Sequence, residues 1–185
     1  YWDTGPNDGG HTLISGGYYT AWLGPVNEST DPYPAGAWNY ISPAGPVAAH
    51  VQEILWIPSR PEYGPPVSAP DRATMIANMK WAITTYGVLD SSFYYNDAYY
   101  RWTTDSYYCP LSGYYANHEV SVVGWDDTYS RSNFATDPGA DGAWLMKNSW
   151  GTSWGDGGYA WVSYYDAVMG GDSTIFRGSP TINYG

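Results

Sequence analysis

Apolar residues recur at helical spacing in two segments of the chain. Residues 9–24 place four of them roughly on one helical face before a Gly-Pro pair. The second segment, residues 72–86, follows Asp71, a favoured N-cap, and stops at Gly87. Its apolar stripe consists of Met75, Ile76, Met79, Ala82 and Ile83. The pattern therefore predicts one or two helices.

Apolar and β-branched runs after the second helix predict strands. A Pro- and Gly-rich stretch, residues 25–70, is interpreted as loop with short strands such as Val51–Ile57. The later runs are Val88–Tyr95, His118–Trp125, Ala143–Asn148 and Gly158–Tyr165. Polar residues 126–142 between two of these runs indicate a surface loop. Helices followed by antiparallel strands indicate an α+β fold.

Composition narrows the possible partners. The 185 residues include 18 acidic and 7 basic side chains, for a net charge of −11. Such a charge argues against binding to nucleic acid or to an anionic membrane surface, and no apolar run reaches the length of a membrane span. The 11 Trp and 20 Tyr residues are interpreted mainly as core, with a carbohydrate-binding surface as a weaker alternative.

Two segments carry candidate chemistry. His118 opens the run Glu-Val-Ser-Val-Val-Gly-Trp, and Asn148 lies within Lys-Asn-Ser-Trp-Gly. Taken singly, an isolated His is commonly structural and an Asn in a turn commonly bonds its own backbone. Taken together, the two segments resemble the C-terminal half of the papain-like cysteine peptidases. The match extends through Val122–Trp125 and Gly142–Tyr159, and weaker similarity covers most of the chain.

The resemblance implies a papain-like fold with a partial helical lobe followed by an antiparallel, barrel-like β-rich lobe. Residues 1–24 would be the remainder of the helical lobe, and residues 25–185 the β-rich lobe. In this family His118 would pair with a thiolate, which attacks the peptide carbonyl, and would then protonate the leaving amine. Asn148 would hold the imidazole ring, and Trp150 would cover their hydrogen bond.

The resemblance also implies substrate-binding residues. Gly9 and Gly10 would pair with an extended substrate by strand addition. The other implied substrate contacts are Ser91, Ala116, Asn117 and Glu119. The family usually has a small apolar residue where Glu119 stands, so one hypothesis is that Glu119 favours basic substrate side chains. The alternative is that Glu119 points to solvent or pairs with an Arg.

The sequence departs from the family at the nucleophile. It contains no Gln-x-x-x-Cys-x-Ser-Cys-Trp segment, so residues 1–185 alone are not expected to hydrolyse peptides. Cys109 precedes Pro110 in a loop and is expected to be buried, or bonded to a segment outside these residues, rather than nucleophilic. The chain opens at Tyr1 without Met, which predicts a trimmed chain that needs an N-terminal partner or associates with itself.

No cofactor or metal is expected. Clustered carboxylates suit calcium, but their spacing here matches no calcium loop, so solvated acids are favoured. These carboxylates are Asp126, Asp127, Asp137 and Asp141. The histidines His11, His50 and His118 lack the spacing of zinc ligands.

The favoured interpretation is a portion of a secreted or cell-surface cysteine peptidase that acts on peptides or proteins. The alternative is a catalytically inactive papain-like module for peptide binding, adhesion or surface assembly.

Overall fold

Residues 12–27, 29–30, 46–58 and 69–180 are described by the computed structural model of the chain. The helices are α1 Thr12–Thr20 and α2 Ala69–Tyr86. The strands are β1 Ala49–Trp56, β2 Leu89–Phe93, β3 Tyr100–Arg101, β4 Ser106–Tyr107, β5 His118–Asp126, β6 Ala143–Lys147, β7 Tyr159–Ser163 and β8 Gly171–Pro180. Single 3-10 turns occupy Asp97–Tyr99 and Arg131–Asn133. The predicted α+β class is confirmed.

The chain divides into two units by its internal contacts. The smaller unit is Tyr1–Leu55 with Phe176–Gly185, and the larger unit is Trp56–Ile175. The boundaries of this division differ from the lobe boundary expected at residue 24, and the assignment of the two lobes stays a prediction. None of the helices in the described ranges is long and apolar enough to cross a membrane.

The apolar stripe predicted for α2 forms part of the core of the larger unit. Met75, Met79, Ala82 and Ile83 are buried, and α2 contacts β2 and β5. The helix begins three residues earlier than expected, so the prediction of Asp71 as N-cap is wrong. The segment ahead of Asp71 is Ala-Pro, and a proline is tolerated in a first turn because its missing N–H would lack a helical partner there. Asp71 instead supplies a negative charge to that first turn.

The larger unit is built on a mostly antiparallel sheet. Its strand order is β8-β2-β5-β6-β7-β4-β3, and the β4–β7 pair is parallel. In the register of β2 with β5, Phe93 lies opposite His118. In the register of β5 with β6, Ser121 lies opposite Lys147. The start of β5 therefore lies beside the end of β6, which is where the two candidate residues stand.

The smaller unit contains α1, nearly all of β1 and the later part of β8. The ring of Tyr19 in α1 meets Phe176 with centroids 5.3 Å apart, and Arg177 pairs with Glu53 at 2.6 Å. The helix ends at Thr20, before the predicted Gly-Pro stop, because Trp22 adopts a left-handed φ of 62°. The chain is therefore already out of the helix when it reaches the Gly-Pro pair.

Candidate active site

The register of the sheet brings His118 and Asn148 together. His118 is the first residue of β5, and Asn148 directly follows β6, so antiparallel pairing places them side by side. His118 Nε2 lies 2.8 Å from the side-chain oxygen of Asn148, Oδ1. Because an amide oxygen only accepts hydrogen bonds, Nε2 carries the proton and Nδ1 is left available for a second partner.

Asn148 is held in place on both its backbone and its side chain. Its backbone N–H donates to the carbonyl of Gly158 at 2.9 Å. Its Oδ1 accepts a second hydrogen bond, from the N–H of Ser149 at 2.8 Å, which supports the assignment of this atom as oxygen. The residue is only 7% exposed, and its Nδ2 has no partner among the described residues. The amide oxygen is therefore fixed in place by contacts within the chain.

Trp150 covers the hydrogen bond between His118 and Asn148. Its ring stacks on the imidazole with centroids 4.6 Å apart and planes at 23°. Phe93 flanks the imidazole at 5.8 Å, and Trp154 meets Trp150 edge to face at 5.3 Å. Aromatic cover lowers the local dielectric and strengthens the enclosed hydrogen bond.

A glycine-rich turn carries Trp150. Gly155 has a φ of +55°, and a Cβ there would lie 2.3 Å from the carbonyl oxygen of Tyr159. Gly158 has a φ of +95° and accepts the Asn148 N–H. Any other residue at Gly155 would meet backbone rather than a movable side chain, so the shape of this turn depends on glycine.

The residues expected to bind substrate differ in their exposure to solvent. Gly9 and Gly10 lie outside the described residues. Ser91 is completely buried, and its hydroxyl lies 3.1 Å from that of Ser173. Ala116 is partly exposed just ahead of β5.

Asn117 and Glu119 flank His118 along the chain. The Asn117 side-chain amide bonds the backbone of Tyr95 twice, accepting from its N–H at 2.7 Å and donating to its carbonyl at 3.0 Å. Glu119 lies opposite Ser92, on the face of β5 away from His118. The structure thus brings together His118, Asn148 and Trp150. The substrate roles expected for the neighbouring residues stay predictions.

Cys109 is not an accessible nucleophile. Its side chain is fully buried, and burial raises the pKa of its thiol, as does the nearby Asp166 carboxylate. Its backbone N–H donates to Asp166 Oδ2 at 2.8 Å, which fixes the loop in the interior. A thiol must ionise to attack a carbonyl, so this environment disfavours attack. The expectation that Cys109 is buried is confirmed.

The clustered acids have local partners. Asp127 pairs with Lys80, whose hydrogen bond lowers the pKa of this carboxyl, and also accepts from the hydroxyl of Tyr164. The backbone N–H donors to Asp126, Asp137 and Asp141 belong to Thr128, Gly139 and Arg131, respectively. Within the described ranges, His, Cys, Asp and Glu nowhere form a group of three or more that could hold a metal ion.

Tyr95 contacts the site although its sequence context does not predict it. The sequence pattern places it at the end of the predicted strand Val88–Tyr95, whereas β2 ends at Phe93. Its ring meets Trp150 with centroids 4.7 Å apart. Neither the periodicity of the sequence nor a motif predicts the contact between Tyr95 and Trp150, because this contact depends on the pairing of β2 with β5.

Comparisons with known proteins agree with this arrangement. Residues 67–174 match the family model of papain family cysteine proteases. The chain is 24% identical over 106 residues to a gut-specific cysteine proteinase of Caenorhabditis elegans, covering 57% of this chain and 29% of that protein. It is 40% identical over 55 residues to human cathepsin O, covering 30% of this chain and 14% of that protein. The chain thus spans less than a third of either relative.

Solved structures share the fold over nearly the whole chain. The clostridial cysteine protease Cwp84 after propeptide cleavage superposes with a TM-score of 0.81 at 27% identity, covering 98% of this chain and 44% of that chain. Bromelain of Ananas comosus, in complex with the inhibitor E64, superposes with a TM-score of 0.62 at 18% identity, covering 98% of this chain and 75% of the bromelain chain. The second likeness concerns the fold alone.

Proposed function

The chain belongs to the papain family of cysteine proteases, and we propose that its His118 and Asn148 are the base and the orienting residue of a thiol-dependent peptidase site. One observation carries the proposal: His118 Nε2 lies 2.8 Å from Asn148 Oδ1 beneath the stacked ring of Trp150. With Nε2 engaged, Nδ1 is the ring atom that would accept a thiol proton and form an imidazolium–thiolate pair.

The proposed reaction is acyl transfer. The thiolate sulfur attacks the peptide carbonyl carbon, the C–N bond breaks, and the proton on His118 Nδ1 passes to the leaving amine. Water then hydrolyses the thioester and regenerates the thiol. The nucleophilic thiol would come from outside residues 1–185, because Cys109 is buried and its pKa is raised.

Peptide hydrolysis by the protein as its gene encodes it tests this function. We expect His118→Gln to lower kcat/KM on a fluorogenic peptide by about a thousandfold or more, because both proton transfers lose their carrier. His50→Gln is the matched control, since His50 stacks on Trp22 in the smaller unit. Equal activity of the two variants would refute the proposal. A wild-type protein that neither cleaves peptides nor reacts with E64 would support the inactive binding module instead.

We also propose that the protein acts outside the cell or at its surface. A Cwp84 structure is described as that of a surface layer associated protein of Clostridium difficile, and it shares 27% identity with this chain at a TM-score of 0.80, over 98% of this chain and 39% of its own length. Brief protease treatment of intact cells should release peptides of this chain, and their recovery from lysed cells alone would contradict the location.

A further inference from the structure

Tyr95 lies against the ring that covers His118. Its ring meets Trp150 edge to face, with centroids 4.7 Å apart and planes at 76°. The distance from the Tyr95 ring to the His118 ring is 6.3 Å, longer than the 4.6 Å from Trp150 to His118. Tyr95 therefore acts on the cover rather than on the hydrogen bond beneath it.

Tyr95 is itself held through its ring, its hydroxyl and its backbone. Its ring stacks on the fully buried Tyr107, with centroids 5.4 Å apart and planes at 22°. Its hydroxyl donates to Asp97 Oδ1 at 2.7 Å, and its backbone is bonded twice by the Asn117 amide. Burial raises the pKa of Tyr95, and the Asp97 carboxylate raises it further, so the hydroxyl remains a donor at neutral pH.

Trp150 needs lateral support to stay over His118. It is 42% exposed and stands at the start of the glycine-rich turn. Fixing an exposed aromatic side chain in one rotamer costs conformational entropy, which flanking contacts must offset. Besides His118, the rings of Tyr95 and Trp154 flank Trp150. Tyr95 links Trp150 to the sheet through Tyr107 in β4.

We propose that Tyr95 is a positioning residue that holds Trp150 stacked over the hydrogen bond between His118 and Asn148. The catalytic consequence of this contact rests on the proposed function. The structural consequence does not, because the Trp150 cover controls access of water to His118 Nε2 in any state of the nucleophile.

The test compares three variants of the protein as its gene encodes it, produced with 15N-labelled histidine. Tyr95→Leu removes the aromatic edge, Tyr95→Phe keeps it without the hydroxyl, and Tyr94→Leu is the matched control. Tyr94 is the chain neighbour of Tyr95, and its ring stacks on Tyr114 at 4.4 Å. Two experiments are made: one measures the exchange rate of the His118 Nε2–H proton with water, and the other measures kcat and KM for a fluorogenic peptide.

We expect Tyr95→Leu to speed exchange by about threefold to tenfold and to lower kcat by a similar factor, with KM changed by less than about twofold. This range corresponds to the loss of one aromatic pair. Tyr95→Phe should restore most of the wild-type exchange rate and kcat, and Tyr94→Leu should match the wild type. If Tyr95→Leu does not fold, Tyr95→Met carries the same expectation with a more adaptable side chain.

Wild-type exchange in a folded Tyr95→Leu protein would overturn the proposal, and so would equal effects from Tyr94→Leu. Exchange does not require a nucleophile. A wild-type protein that hydrolyses no peptide would therefore refute the proposed function alone, and the exchange rates would still decide the role of Tyr95.

Discussion

The amide oxygen of Asn148 accepts two hydrogen bonds at 2.8 Å, from His118 Nε2 and from Ser149 N–H. The second bond keeps the oxygen turned toward the imidazole. A neutral amide orients the ring without drawing off its proton, whereas a carboxylate would also stabilise the charged imidazolium. The residue type at position 148 therefore decides how the imidazole of His118 is held.

Replacement of Asn148 tests its orienting role. We expect Asn148→Ala to lower kcat by about 10- to 100-fold, part of the roughly 10²- to 10⁴-fold that acid–base catalysis supplies. Asn148→Asp should keep most of kcat, because a carboxylate oxygen also accepts the hydrogen bond from His118 Nε2. Wild-type kcat in Asn148→Ala would contradict an orienting role.

At the scale of elements, β6 depends on the turn that leads into it. Gly142 precedes β6 with a φ of +112°, and a Cβ there would lie 2.5 Å from Cδ2 of Tyr164. Its N–H donates to the Tyr129 carbonyl at 2.9 Å, and its carbonyl accepts from the Tyr164 N–H at 3.2 Å. The strand that ends just before Asn148 thus starts from a position that only glycine fills without a clash.

Two glycine substitutions separate the clash from the backbone strain. We expect Gly142→Ala to reduce the free energy of unfolding by about 2–4 kcal/mol, from a strained φ combined with overpacking. Gly139→Ala is the control, since Gly139 has a φ of +92° but open space within 4 Å of the position that an added methyl group would take. Gly139→Ala should reduce the free energy of unfolding by only about 1 kcal/mol. Urea unfolding measures both values, and equal losses would refute the contribution of the Tyr164 contact.

At the scale of the whole molecule, a buried aspartate organises the interior of the larger unit. Asp166 is 1% exposed and accepts backbone hydrogen bonds from Cys109, Val168 and Met169 at 2.8–2.9 Å. Arg72 of α2 donates to the carbonyls of Tyr164 and Asp166 at 3.0 and 3.3 Å. The loop that carries Cys109 is therefore anchored to the core through Asp166, and release of the thiol requires that anchor to break.

Thiol labelling measures whether the Cys109 thiol becomes exposed. We expect Cys109 to resist iodoacetamide in the native protein and to react fully in urea, because its thiol is buried and its pKa is raised. Peptide mapping identifies the labelled site even if other cysteines are present. Rapid labelling of Cys109 under native conditions would contradict its burial and would make Cys109 a candidate nucleophile again.

The sequence alone determined the elements whose signals are local. The stripe of Met75, Met79 and Ala82 identified α2, and apolar runs identified β2, β5, β6 and β7. The strand β8 was missed because Gly171–Pro180 is rich in small and polar residues, and its pairing with β2 makes it a strand. The start of α2 was misplaced by three residues because Asp71 suits both an N-cap and a first turn.

For the site, the motifs identified His118, Asn148 and Trp150 as residue types in a family pattern. Tertiary structure alone decided that Nε2 faces the amide oxygen, that Ser91 is buried, and that Tyr95 contacts the cover. These contacts join residues that lie far apart along the chain, so they depend on the register of the strands. A motif records which side chains are present, whereas strand pairing determines which of their atoms meet.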